Sequence, residues 1–285
     1  MHANGHAFAT GLMNCGSVWA CPTCSNRIQT RRLAETETAL IEHAHGGGNI
    51  AMLTLTMRHS PTQPLTELLD TLNTAWAKLQ RRAAFRPIYR ATIGTITELE
   101  ITTGAHGWHP HLHILLLIAP DHAQDYLSPL AEHLRPAWSR LVNTKTDKHS
   151  LTHGLELTWF GHDSASAAKY IHKIAKEITL NQNKSEGTTH DPFTLLDTNS
   201  PTNTARFIEY VEATHGRQAT RWSNGLKRAL IPFADDLTDE ELADDNTTEG
   251  ATIMIVTKEQ WNALPNDQQL DLIEWSQTQF HSLSP

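Results

Sequence analysis

The chain has 285 residues, 39% of them apolar and 19% charged, which is enough for a packed core and excludes wholesale disorder. No run of 18 apolar residues exists, and the first residues lack the basic, apolar, small-residue order of a secretory signal, so no membrane span is expected and the expected location is the cytoplasm. The net charge of −8 is uneven: residues 233–285 hold twelve acids and one Lys, or −11, while residues 1–232 carry +3, so the acidity does not exclude a DNA partner for the body of the chain.

Residues 25–44 are expected to form a helix that stops at Gly46-Gly47-Gly48. Residues 50–57 (IAMLTLTM) read as a strand. Pro64 opens a helix with an apolar stripe of Leu65, Leu68, Leu69, Leu72, Trp76 and Leu79. Strands follow at 91–102 and 110–118, joined by a turn at 103–109 as in a hairpin. Residues 121–142 read as a helix interrupted at Pro129 and Pro136, 155–160 as a fourth strand, and 164–179 as a helix. This order predicts an α+β fold: a mainly antiparallel sheet of split βαβ topology with helices packed on it. Residues 181–203, rich in Asn, Thr, Ser and Asp, read as a linker. Residues 204–232 read as a helical basic segment, and 233–285 as an acidic tail with a small appended unit, a strand at 251–256 and a helix near 258–279.

Three groups of residues can carry chemistry. The first is Cys15, Cys21 and Cys24, the only cysteines of the chain. Thiolates at this spacing can converge on one Zn²⁺ in a reducing compartment. His6 is the expected fourth ligand, with His2, His43 and His45 as rivals. Three buried thiols packing as small apolar groups would look the same in sequence.

The second group is Trp108-His109-Pro110-His111-Leu112-His113. With 18 histidines, about one His-x-His pair is expected by chance, and His43-Ala-His45 fits that description. His111 and His113 differ by their strand context, where i and i+2 project from one face. Glu98 and Glu100 alternate in the same way on the neighbouring strand. A hairpin folded about residue 106 sets residue 100 opposite 111 or 112, and residue 98 opposite 113 or 114. Two imidazoles and one carboxylate with open positions would take Mg²⁺ or Mn²⁺ when a phosphate completes the set. A solvated, His-rich sheet face remains the alternative.

The third group is Tyr170 and Lys173, one helical turn apart. A phenol is a weak nucleophile until a cation favours the phenolate. An ordinary amphipathic helix explains the stretch equally well. Of the other tyrosines, Tyr89 follows a Pro in an expected turn, and Tyr126 and Tyr210 lie on expected helices with no Lys one turn later.

Taken together, the cysteine knuckle, the Leu-Thr-Leu-Thr (53–56) and Leu-Glu-Ile-Thr (99–102) strands, Gly-Trp-His-Pro-His-Leu-His and Ala-Lys-Tyr-x-x-Lys resemble the rolling-circle replication initiators of bacterial plasmids, within the HUH endonuclease superfamily. The stretch from Glu209-Tyr210 to Leu230 is similar to the C-terminal part of actinobacterial plasmid Rep proteins, and the resemblance covers about residues 5–230.

The resemblance implies an HUH, ferredoxin-like sheet, metal-dependent nicking and joining of one strand at the double-strand origin, and a 5′-phosphotyrosine. By motif, His111, His113 and Glu100 are the ligands of the catalytic Mg²⁺ or Mn²⁺, Tyr170 is the nucleophile, and Lys173 is the Lys that follows it. His109 occupies a position that need not ligate. Relatives often carry a Glu four residues before the Tyr; here Ser166 stands there, and Asp163 or Glu177 is left for that role. The implied partners are plasmid origin DNA, single-stranded or extruded, with host helicase, single-strand-binding protein and polymerase, and no membrane. The expected organisation is a zinc knuckle and helix over 1–45, the nicking domain over 46–180, the linker, the basic segment and the tail. A single-strand transposase or relaxase with the same chemistry, or a non-enzymatic zinc-containing DNA-binding regulator, are the alternatives.

Overall fold

The computed structural model describes residues 15–142, 154–163, 165–166, 169, 189–198, 200–244, 258–265 and 268–269. The chain divides into two units, 17–237 and the combination of 1–16 with 238–285. The larger carries a sheet. Its elements run α1 (Pro22–His45), β1 (Asn49–Leu55), α2 (Leu65–Gln80), a 3₁₀ turn (Ala83–Phe85), α3 (Arg86–Ala91), β2 (Thr92–Gly104), β3 (Gly107–Ile118), α4 (Gln124–Val142) and β4 (Leu155–Gly161). They continue as β5 (Thr189–His190), a second 3₁₀ turn (Pro192–Leu196), α5 (Pro201–Thr214), β6 (Thr220–Trp222) and α6 (Leu226–Leu230).

The strands lie in the order β4-β1-β3-β2, and every pairing is antiparallel. β5 and β6 both pair with the outer edge of β2, at Thr103–Gly104 and at Ile96–Glu98. That edge would otherwise expose a row of unpaired backbone groups. β1 is flanked on both sides, and Asn49–Leu53 are buried throughout, as befits an inner strand covered on both faces.

One face carries Ile50, Met52, Ile96, Leu115 and Leu117, packed with Leu40 of α1 and Leu226 of α6. On the other face Leu53, Leu112, Ile114 and Leu116 are buried, and α2 and α4 pack on each other, on β3 and on β4. The α1 helix ends where Gly47 turns the chain at φ 82°, and a β-carbon on Gly48 would overlap the His43 ring. His43 is buried, with Nε2 3.0 Å from the carbonyl oxygens of both Asn49 and Ile118. It ties α1 to the end of the sheet.

Three local expectations change. The β2–β3 turn is shorter than 103–109, because the ladder closes at Gly104↔Gly107. Pro129 and Pro136 do not break α4, which runs through both. Burial of Leu127, Ala131, Leu134, Ala137 and Trp138 along one stripe outweighs the two missing backbone donors. The segment after 204 is not all helical: β6 interrupts it, held because Ser223 exchanges bonds with Thr95, donating through its N–H at 2.8 Å and accepting at Oγ at 2.9 Å. Within the stretch read as a linker, Asp191 and Pro192 are buried.

In the smaller unit the described helices are α7 (Asp239–Asp244) and α8 (Lys258–Ala263). Thr238 and Glu241 form a reciprocal cap on α7, the Thr238 N–H donating to Oε2 at 2.7 Å and the Glu241 N–H to Oγ1 at 3.2 Å. The expected strand at 251–256 lies outside the described residues. Among the described residues no helix is long and apolar enough to cross a membrane.

Candidate metal centre

The apolar rows of β1, β2 and β3 give way to polar ones toward the β2–β3 turn. Thr54 pairs with His113, His113 with Glu98, His111 with Glu100, and His109 with Thr102. Side-chain alternation sets all of these on the face that carries Ile50 and Met52 one row away. The site is thus a continuation of a core face, with a hydrophobic floor on one side.

Glu100, His111 and His113 each offer a ligand atom, and these atoms lie within 4.8 Å of one another. Glu100 and His113 are buried. His113 Nε2 lies 2.8 Å from Glu100 Oε2, and its Nδ1 lies 3.3 Å from the Thr54 hydroxyl oxygen. Glu98, one step away on the same face, instead accepts a 2.7 Å bond from the Thr220 hydroxyl of β6. The structure therefore turns Glu100 toward the histidines and engages Glu98 with the edge strand.

Burial lowers the His111 pKa to about 4; Glu100 opposes this, and His109, His113 and His59 reinforce it. His111 is therefore neutral at physiological pH, with a lone pair free for a ligand. The His109 pKa is lowered too, first by burial and then by His59. Two imidazoles and a carboxylate, one of the imidazoles held neutral, suit a divalent cation of the Mg²⁺, Mn²⁺ or first-row type.

Two further residues, not legible in the spacing, reach the site. Thr54 orients His113 from β1. His59, on the loop after β1, packs tilted against His109 at 4.6 Å between ring centroids, and His109 in turn meets His111 edge-on at 4.3 Å. The row His59–His109–His111–His113 is continuous, the last two rings 6.0 Å apart. The Leu-Thr-Leu-Thr strand held the signal for Thr54; nothing in spacing pointed to His59.

Tyr170 and Lys173 lie outside the described residues. Of the other tyrosines, Tyr89 and Tyr126 are exposed. Tyr210 is buried among Trp19, Trp108, Phe193 and Phe207. That burial, helped by Asp191, pushes its phenol well above the ordinary range, the opposite of what a nucleophile needs. Ser166 donates its N–H to Asp163 Oδ1 at 2.8 Å, a local turn bond.

Cys15, Cys21 and Cys24 are unbridged, and their sulfurs lie within 4.8 Å of one another. Cys21 directly precedes α1 and Cys24 is buried in its first turn. The candidate fourth ligands divide: His2 and His6 lie outside the described residues, His45 is exposed at the far end of α1, and His43 is already engaged by two carbonyls. Sheet closure thus accounts for His43. Three sulfur donors with this convergence fit zinc.

A family model described as a replication protein matches residues 12–264. A protein named Rep from Streptomyces lividans is 29% identical over 343 aligned positions, covering 92% of this chain and 74% of that one. A neomycin resistance protein from Streptomyces cyanogenus is 32% identical over 144 positions, covering 41% of this chain and 33% of its own length. No solved structure matches the chain.

Proposed function

The chain belongs to the replication-protein family, of the actinobacterial plasmid type, and from this premise we propose that it starts rolling-circle replication by nicking and rejoining one strand of its plasmid's origin. The observation that carries the reading is the convergence of Glu100, His111 and His113 on one sheet face, in a strand order β4-β1-β3-β2 that supports the HUH, ferredoxin-like arrangement. Those three residues would hold Mg²⁺ or Mn²⁺, which when bound withdraws charge from the oxygens of a phosphate.

The chain's own residues do the rest. Tyr170 attacks the scissile phosphorus through its phenolic oxygen, in line with the departing 3′ oxygen. The P–O3′ bond breaks as the bond to tyrosine forms. The phenol gives up its proton and the departing oxygen gains one. The products are a 5′-phosphotyrosine and a 3′-hydroxyl that primes host polymerase. One phosphoester replaces another, so the reverse step rejoins the strand without a nucleotide. Lys173, one turn away, favours the phenolate. Thr54 fixes the His113 ring, and the neutral state of His111 keeps it a ligand. Cys15, Cys21 and Cys24 would hold a Zn²⁺ that serves folding. The working place is the cytoplasm, with host helicase and single-strand-binding protein as partners.

The test is a covalent adduct between the protein and its own plasmid's origin strand. An adduct that needs Mn²⁺ or Mg²⁺ and maps to Tyr170 supports the reading. Origin binding without an adduct, indifferent to EDTA, would instead make the chain a DNA-binding regulator with structural histidines. Activity confined to the ends of a mobile element would make it a transposase.

A further inference from the structure

From Thr71 to Thr97 the chain contains no Asp or Glu, yet it holds Lys78, Arg81, Arg82, Arg86 and Arg90. All four arginines are exposed, and among the described residues none of the four is in an ion pair. Elsewhere basic side chains serve the fold: Arg217 binds Asp70, Lys227 binds Glu35, Arg206 bonds Thr103 and lies over the Trp108 ring, and Arg221 bonds Asn73. Positive charge at the 81–90 corner is left unneutralised.

Phe85, Ile88 and Ala91 are buried, which turns Arg86, Tyr89 and Arg90 of α3 outward at i, i+3 and i+4. Tyr89 is 72% exposed, and Ile93 at the start of β2 is 53% exposed. An aromatic ring standing free among unpaired arginines is what single-stranded nucleic acid requires: guanidiniums for phosphates and a flat face for an unpaired base.

The place is also suitable. Thr92, directly after α3, pairs with Ile118 of β3, five residues from His113 on the same strand. At ~3.4 Å per residue Thr92, where the corner joins the sheet, lies roughly 17 Å from His113 along the strands; the corner itself packs on α4, on the face opposite the histidines, so this is the least separation of the two sites. That is the length of about five stacked nucleotides of one strand.

We propose that Arg81, Arg82, Arg86, Arg90 and Tyr89 form a second DNA-binding surface, which holds the unpaired strand at least about five nucleotides from the phosphate at the histidine site. It rests on the reading of the chain as an origin-nicking protein and extends it by naming where the flanking strand is held.

The experiment uses the full chain and a fluorescein-labelled mixed-sequence 30-mer, single-stranded and as a duplex, with binding followed by anisotropy from 50 to 200 mM NaCl. The variants are Arg81→Ala/Arg82→Ala/Arg86→Ala/Arg90→Ala, the matching fourfold Arg→Lys, Tyr89→Ala and Tyr89→Phe. For the single strand, the fourfold Ala variant should flatten the slope of log affinity against log salt by about 0.7 for each phosphate no longer neutralised. Tyr89→Ala should weaken binding on the order of tenfold, and Tyr89→Phe and the Lys variant should keep most of it. All positions are exposed, so melting curves should match wild type. Wild-type binding with unchanged slope and affinity in the Ala variants would make this an ordinary solvated corner. Weakening confined to the duplex would overturn the single-strand assignment. A wild-type chain that binds neither probe would bring down the functional reading itself.

Discussion

His113 Nε2 sits 2.8 Å from Glu100 Oε2 although the direct cross-strand partner of Glu100 is His111 and that of His113 is Glu98. The contact is diagonal. Glu98 meanwhile accepts a bond from the Thr220 hydroxyl of β6, and Glu100 lies within reach of both histidines. Two acids of equal type and equal alternation are thereby given different tasks.

The first prediction follows. Glu100→Ala should lower Mn²⁺ affinity and adduct yield by at least tenfold, while Glu98→Ala should change either only a few-fold. Removal of a ligand is costly, whereas removal of an edge-strand hydrogen bond costs about 1 kcal/mol. Isothermal titration with Mn²⁺ and an adduct assay on both variants decide it; equal effects would show that both carboxylates ligate.

Thr54→Val keeps the shape of the side chain and removes the oxygen 3.3 Å from His113 Nδ1. Groups that orient a ligating imidazole are worth on the order of tenfold to a hundredfold in metal affinity. The expected outcome is a right-shifted Mn²⁺ titration that recovers near wild-type adduct yield at saturating metal. A yield that stays low at saturation would give Thr54 a role beyond holding the ring.

Tyr170→Phe should abolish nicking and the adduct and leave origin binding within a few-fold of normal, because the ring is kept and only the hydroxyl is removed. Tyr210→Phe should leave the adduct intact, since the buried Tyr210 phenol resists ionisation. Peptide mapping of the adduct checks both at once. Tyr89, Tyr126 or Tyr210 carrying the DNA would refute the assignment.

Cys21→Ser should release the zinc measured by elemental analysis and lower the melting temperature, while folded protein still forms the adduct when Mn²⁺ is supplied. Such sites contribute on the order of 10 kcal/mol to folding in zinc-finger peptides. Wild-type protein purified without chelator and free of zinc would leave the three thiols as packing residues.

Asp191 is buried, accepts a 2.7 Å bond from the Phe193 N–H at Oδ1, and has no partner at Oδ2 among the described residues. Burial pushes its pKa up to about 7, against 3.8 for the free group. Between those values the folded chain holds a proton that the unfolded chain has released, so stability contributed by this residue falls as pH rises from about 4 to about 7. Asp191→Asn keeps the acceptor and carries no charge. It should therefore be more stable than wild type at pH 8, by up to a few kcal/mol, with the difference shrinking as pH falls and vanishing below about pH 4. Thermal melts of the pair across that range test the direction; a variant destabilised at pH 8 would reverse it.

The sequence alone determined α1, α2, α4, the strands β1 to β4 and the strands that carry the candidate ligands. Alternation is a local property, so His111, His113, Glu98 and Glu100 could be assigned to one face before any fold was known, and the turn near residue 106 brought the right acids opposite the right histidines. The stripe of α2 and the glycines after α1 were legible for the same reason. Tertiary structure alone decided what lies between strands distant in sequence. Whether Glu98 or Glu100 faces the histidines depends on β6, a three-residue strand whose place on the edge of β2 is set by packing and by Ser223 rather than by any pattern of its own. Thr54 and His59 reach the site because β1 is the neighbour of β3, and strand order is a property of the whole sheet. His43 shows the same limit from the other side: its residue type suggested a ligand, and the carbonyls of Asn49 and Ile118, reached only when the sheet closes on α1, took the ring nitrogen instead.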